Sequence, residues 1–310
     1  MLTHNLGYPR IGSQRILKHA CERYWAGEIS LEALVETGRR IRRDHWLLQR
    51  EAGIDLIPCN DFSFYDQILD MSLTVGAIPE RYQALAADPR FSALDLGFAM
   101  ARGYQQESLD LIALELTKWF DTNYHYLVPE FHKNQLFRLC SRKLIEEFCE
   151  ARGLGLRAKP VLIGPVSYLW LGKEKEAGFH RLALLERLLP IYAEVLHELD
   201  GLGAEYVQID EPLLAMDLSE AAKAAFARAY AEIQQAAPRL KIILATYFEG
   251  LRENTELAVG LPVHALHLAS CVRPDSLTPC WRRRPGGSPC RSAWWMDAIS
   301  GKTISSARSH

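Results

Sequence analysis

Tyr206-Val207-Gln208-Ile209-Asp210-Glu211-Pro212 is the run from which the fold is read. Val207 and Ile209 alternate with polar residues as a strand requires, two adjacent carboxylates follow, and Pro212 cannot continue a central ladder. Six other short runs can be read the same way, near residues 6–10, 55–58, 123–126, 160–164, 242–246 and 263–268. Several of them also end in polar or turn residues, as in Asn60-Asp61 and Thr246-Tyr247. Between them lie segments such as 31–52, 134–151 and 182–202, whose apolar residues return every three or four positions, the period of an amphipathic helix. Strands alternating with helices predict a parallel sheet covered by helices. Polar groups at the C-terminal strand ends suit a (β/α)8 TIM-type barrel, whose function gathers at that face. Seven strands are readable; the eighth of a complete barrel is missing, so the α/β barrel is expected to be incomplete.

Composition narrows the function classes. The chain has 310 residues, 48% of them hydrophobic, enough for a substantial core. No apolar run reaches membrane-spanning length, and Met1-Leu2-Thr3-His4-Asn5 lacks the basic and apolar regions of a signal peptide, so a cytoplasmic protein is expected. The seven cysteines include no C-x-x-C pair, which argues against zinc-finger and thioredoxin-like chemistry. No G-x-G-x-x-G marks a dinucleotide site. Neither nucleic acid nor membrane is an expected partner.

The segment Thr117-Lys118-Trp119-Phe120-Asp121-Thr122-Asn123-Tyr124-His125-Tyr126-Leu127-Val128-Pro129-Glu130-Phe131 interleaves five aromatics with polar groups, a composition suited to a ring-lined mouth. The chain also carries Leu6-Gly7-Tyr8-Pro9-Arg10-Ile11-Gly12, Arg23-Tyr24-Trp25-Ala26-Gly27 and Gly164-Pro165-Val166-Ser167-Tyr168-Leu169-Trp170-Leu171-Gly172. In this order, and with Val207-Gln208-Ile209-Asp210-Glu211-Pro212, these runs resemble the N-terminal half of cobalamin-independent methionine synthase, from about residue 4 to about residue 268.

The resemblance implies that the intact family transfers a methyl group from a polyglutamylated 5-methyltetrahydrofolate to homocysteine, whose thiolate a zinc ion activates. It places the zinc in a C-terminal catalytic barrel beyond the matched region. This chain is therefore expected to hold no metal, to supply folate-polyglutamate binding, and to need that second barrel as its partner. The family's tail-binding positions carry over to Gln14, Arg15, Ile16, Leu17 and Lys118. Lys18 follows on the same expected helix, where i and i+3 spacing would set it beside Arg15. Two other readings stand beside this one: a stand-alone folate-binding module serving a separate catalytic chain, and a non-functional product of a frameshifted gene.

Other candidates read as structural. Asp210 and Glu211 could bind magnesium or move protons, but a pair that caps loops and holds Arg10 is the preferred reading. His125 is expected to be a hydrogen-bonded core group. His264, His267 and Cys271 can be drawn as zinc ligands, yet residues three apart on a strand face opposite ways. Thr246-Tyr247-Phe248 stands where the family's catalytic barrel carries H-x-C, and offers no such ligand set.

Residues 269–310 hold seven basic residues against two acidic ones, in a chain of formal net charge −2. Trp294-Trp295-Met296-Asp297 can be encoded only by TGG TGG ATG GAY. Shifted by one base, that DNA spells Val-Asp-Gly, in a phrase similar to the family's sequence at the eighth strand. We read a one-base slip near Ala269, giving a barrel over 1–268 and a poorly structured out-of-frame tail over 269–310.

Overall fold

A computed structural model describes residues 2–106, 109–247 and 250–268. Its central sheet has five strands, β1 (Ile57–Cys59), β2 (Ala158–Ile163), β3 (Tyr206–Asp210), β4 (Lys241–Ala245) and β5 (Ala265–His267), hydrogen-bonded in that order. Every pairing is parallel. Every residue of β2 is buried, as expected of a strand covered on both faces. Val161, Gln208, Ile243 and Ala265 stand in one row across the sheet, and Ile163, Asp210, Ala245 and His267 form another at its C-terminal edge.

Helices Leu31–Glu51, Lys143–Gly153, Leu185–Gly201 and Glu220–Ala236 are the long covering elements, each presenting an apolar face. Their starts are written locally where a serine precedes them. The Ser30 hydroxyl accepts from the Ala33 amide at 3.3 Å, and Ser219 from Ala222 at 3.2 Å. The main core runs between these helices and the outward faces of the strands, through Ile209, Leu244, Leu196 and Phe226. A small apolar layer of Leu56, Ile243 and Ala265, with Leu2 and Tyr206 packed against it, lies at the opposite end of the sheet from the polar strand ends.

Three sequence expectations change. The strand expected at 6–10 is absent, and the N-terminal segment instead makes a single parallel bridge between His4 and Leu56. The Tyr8 amide is taken by the Asp61 carboxylate at 2.8 Å and Pro9 has no N–H, so a ladder cannot propagate there. The run at 123–126 does not enter the sheet: His125–Leu127 pairs antiparallel with Leu116–Lys118, and β1 pairs directly with β2. A tight turn makes this local hairpin, with the Trp119 amide on the Tyr124 carbonyl at 2.7 Å and Phe120 at φ 51°. The helix at 134–151 begins only at Lys143, because the amides of Arg138 and Cys140 bond the carbonyls of Val75 and Thr74 instead.

The result is an incomplete α/β barrel in which the sheet curls until His267 on β5 reaches His4, ring centroids 5.1 Å apart. The eighth strand and the tail expected over 269–310 lie outside the described residues.

Gly164, after β2, is a sharp test of this packing. A Cβ there would lie 2.0 Å from Glu211 Oε1 and 2.1 Å from its Cδ, and that side chain is fully buried and held by its own hydrogen bonds. Gly164→Ala should therefore lower stability by about 1–3 kcal/mol, the usual range for overpacking. Urea denaturation checks it: the midpoint should fall with little change of slope.

Candidate functional site at the barrel mouth

Inside the curled sheet the polar groups form one connected set around Lys159, which is fully buried on β2. Its ammonium donates to the Asn5 carbonyl at 2.8 Å, to Gln208 Oε1, and to His4 Nδ1 at 3.3 Å. Gln208 spends both amide hydrogens, on the Leu6 carbonyl at 3.0 Å and on Asp210 Oδ1 at 2.7 Å. Because an ammonium only donates, His4 must accept at Nδ1, which leaves its Nε2–H directed to His267 Nδ1 at 3.4 Å. Burial and the neighbouring cation hold both imidazoles neutral, His4 down to about 3 and His267 down to about 4. Burial likewise pushes the Asp210 carboxyl up and the Lys159 ammonium down.

Above this layer the strand-end carboxylates are committed to the scaffold. Glu211 accepts from the Ser167 amide at 2.8 Å, in the first turn of helix Pro165–Leu171, and from the Tyr230 hydroxyl at 3.3 Å. Burial raises its pKa to about 7. Asp210 takes the Tyr247 hydroxyl at 3.5 Å. The structural reading of the pair thus fits, with one correction. Arg10 is not held by it, but donates to the Ser63 carbonyl at 3.0 Å.

His125 is also corrected: it is exposed, with Nδ1 3.0 Å from the Asn123 carbonyl, because the hairpin carries it outward. The aromatics beside it turn inward. Trp119 packs on Phe120 and Tyr126, and its ring centroid lies 6.5 Å from that of Tyr247, so the hairpin leans over the mouth.

The expected ligand positions fall on two elements. Helix Ile16–Trp25 starts one residue after Arg15, which has a left-handed backbone (φ 59°), as does Gln14 (φ 50°). Arg15 therefore precedes the helix and does not share a helical face with Lys18. Gln14, Arg15 and Lys18 are exposed. Lys18 lies 3.6 Å from Glu22, whereas Arg15 has no charged partner among the described residues. Ile16 and Leu17 point into a core with Phe62 and Phe98, and their amides bond Ser13 and Ile11. Lys118 is exposed on the hairpin, opposite His125, and likewise has no charged partner among the described residues.

One loop anchors both elements. Phe62 and Phe64 pack on the helix, while Asp66 Oδ2 accepts from the Leu127 amide at 3.1 Å and from Leu69 at 3.0 Å. Sequence reasoning missed this anchor. Asp66 preceding the 67–74 helix was a visible N-cap, but its second bond reaches across to the hairpin.

The two histidines drawn as zinc ligands have other partners. His264 Nδ1 accepts the Ile242 amide at 3.1 Å, His267 faces His4 across the interior, and Cys271 and Phe248 lie outside the described residues. Among the described residues no group of three or more His, Cys, Asp or Glu could hold a metal ion. Nor, among them, is any helix long and apolar enough to cross a membrane.

A parallel strand frame with a polar mouth at its C-terminal edge defines the class, an α/β barrel-type domain. The chain belongs to the cobalamin-independent synthase family, whose N-terminal domain profile matches residues 2–284. It is 58% identical over 268 residues to a 5-methyltetrahydropteroyltriglutamate–homocysteine methyltransferase of Flavobacterium johnsoniae, covering 86% of this chain and 34% of the relative. A Cytophaga hutchinsonii protein of the same name is 53% identical over 286 residues, covering 91% and 37%. The chain thus spans about a third of the length of these relatives. Among solved structures, a putative vitamin-B12-independent methionine synthase from Listeria monocytogenes superposes with a TM-score of 0.59 at 14% identity, over 87% of this chain and 74% of that one. A B12-independent methionine synthase from Shewanella sp. W3-18-1 gives 0.57 at 13%, over 78% and 66%. At such identities the likeness supports the fold alone.

The interior assignment has a direct check. In a histidine NMR titration, His4 and His267 should keep their neutral shifts from about pH 8 to about pH 5. The unfolded chain takes up these two protons below about pH 6.5 and the folded chain does not, so the pair lowers stability as pH falls toward about 4. A midpoint near 6.5 for either ring would contradict the arrangement.

Proposed function

We propose that this chain acts as the polyglutamate-binding N-terminal barrel of a cobalamin-independent methionine synthase, which transfers a methyl group from 5-methyltetrahydropteroyltriglutamate to homocysteine. The observation that carries the reading is the 58% identity over 268 residues to a methyltransferase of that name. Two exposed side chains support it. Arg15 and Lys118 are exposed cations without a charged partner among the described residues, on elements pinned to one loop. A folate tail carries several carboxylates, which call for such groups: Arg as a planar fork, Lys as a mobile point charge. Lys18, shared with Glu22, is the weaker contact of the three, and Gln14 is free to add a neutral hydrogen bond. Ile16 and Leu17 shape the segment from within the core.

The domain's own residues would bind and orient the tail. Among the described residues no group of three or more His, Cys, Asp or Glu could hold a metal ion, and the proposal assigns homocysteine, zinc and the methyl-transfer step to a second barrel. The same proposal keeps 1–268 as the folding unit and 269–310 as out of frame, although the family profile continues to residue 284. Sequencing the encoding DNA decides that part.

Binding decides the rest. In calorimetric titration with triglutamyl 5-methyltetrahydrofolate, Arg15→Ala and Lys118→Ala should each weaken the affinity about tenfold, the worth of one charge-assisted hydrogen bond. Affinities equal to the parent's in both variants would refute the assignment.

A further inference from the structure

The Arg23-Tyr24-Trp25-Ala26-Gly27 run has no part in the mouth just described, yet it borders a cavity of about 440 Å³ on the flank of the barrel. Tyr24, Trp25, Phe91, Phe98, Arg102 and Tyr104 line it. The walls are mutually braced rings: Trp25 meets Phe98 edge-on at 5.3 Å, and Phe91 meets Tyr104 at 5.4 Å.

Two polar features of this cavity are unspent. The Arg102 guanidinium lies over the Trp25 ring, 3.9 Å from its centroid, with no carboxylate partner among the described residues. The indole nitrogen of Trp25 is buried without a hydrogen-bond partner, a costly state for a donor. The nearby carboxylate does not neutralise Arg102. Asp95 receives the Tyr24 hydroxyl on Oδ1, and the Ser92 amide at 3.0 Å and hydroxyl at 2.7 Å on Oδ2. Arg102 is exposed, and its backbone position is set by the helix end. It ends helix Ala93–Arg102, where a cation is favoured, and Gly103 follows at φ 80° with a Cβ position only 2.9 Å from the Leu111 carbonyl.

We propose that this cavity binds a small planar aromatic carboxylate, its ring stacked among Trp25, Phe98 and Tyr104 and its carboxylate on the Arg102 guanidinium. Apolar walls with a few convergent donors are the usual make-up of a small-molecule site. The Arg102–Trp25 stack offers the guanidinium edge that a carboxylate engages in two parallel bonds. The site is separate from the folate-tail position. Arg15 lies just before the helix Ile16–Trp25 and Trp25 at its far end, and nine helical steps of 1.5 Å put about 14 Å between the two ends of that helix.

The test is ligand-observed NMR and calorimetry on the 310-residue chain with 2-naphthoate, its neutral amide, and triglutamyl folate as competitor. Saturable binding of 2-naphthoate is expected, weakened about tenfold or more in the amide and in Arg102→Gln. It should persist when triglutamyl folate is saturating. Trp25→Phe, which keeps the ring stack but removes the N–H, should weaken it less than Arg102→Gln does. Absence of saturable binding, equal affinity for acid and amide, or displacement by triglutamyl folate would each overturn the proposal. The acid-versus-amide comparison uses the unaltered protein, so it stands even if a variant fails to fold.

Discussion

A single buried ammonium organises the interior. Lys159 has three hydrogens to donate and three acceptors to receive them, supplied by the N-terminal segment and by β3. A lysine in this position without such partners would carry a penalty of several kcal/mol. With them it becomes a clamp. Asn5 and His4 are drawn across the sheet, Gln208 is oriented, and the His4 tautomer is set so that it can reach His267. The N-terminal segment makes a single β-bridge to the sheet, and this clamp holds it together with the bonds of Thr3 to Asp55, of Asn5 to Gln49 and of Tyr8 to Asp61. From there the chain runs through Gly12 into the left-handed pair Gln14 and Arg15. The placement of the exposed arginine thus traces back to a charge inside the barrel.

The same interior fixes the strand-end carboxylates at the mouth within the scaffold. Among the described residues, Glu211 caps a helix, Asp210 closes the Gln208 relay, and Asp61 pins the N-terminal loop. Burial keeps Glu211 near the protonation balance at neutral pH, but with its oxygens turned to Ser167 and Tyr230 it has little freedom to act on a substrate. Exposed instead are the cations Arg15, Lys18 and Lys118, while Trp119 on the hairpin approaches Tyr247.

Much of the frame was legible in the sequence. The strand ending at Asp210 has the bounds expected of it, since alternating Val207 and Ile209 start a strand and Glu211-Pro212 stop one. The helix expected over 31–52 was equally plain from its spacing and runs from Leu31 to Glu51. The failures have a common cause, competition from distant partners. Asp61 removes the amide that a 6–10 strand needs, and Val75 and Thr74 hold residues that would have begun the 143–153 helix early. The hairpin could have been anticipated from Asp121-Thr122-Asn123, a turn-forming run, but its commitment to Asp66 could not. Arg15 and Lys118 came from resemblance alone; no periodicity singles out an exposed cation. The stacking of Arg102 on Trp25 pairs residues on separate helices and leaves no local trace.

The clamp can be tested by amide hydrogen exchange. The Leu56 amide donates to the Thr3 carbonyl at 3.0 Å, so its protection reports whether the N-terminal segment stays on the sheet. Comparing the parent with Lys159→Met, the account predicts at least a roughly tenfold loss of protection at Leu56, a local opening made easier by about 1.4 kcal/mol, with a smaller loss at Leu244 in the sheet centre. Unchanged protection at Leu56, or an equal loss at both amides, would contradict it.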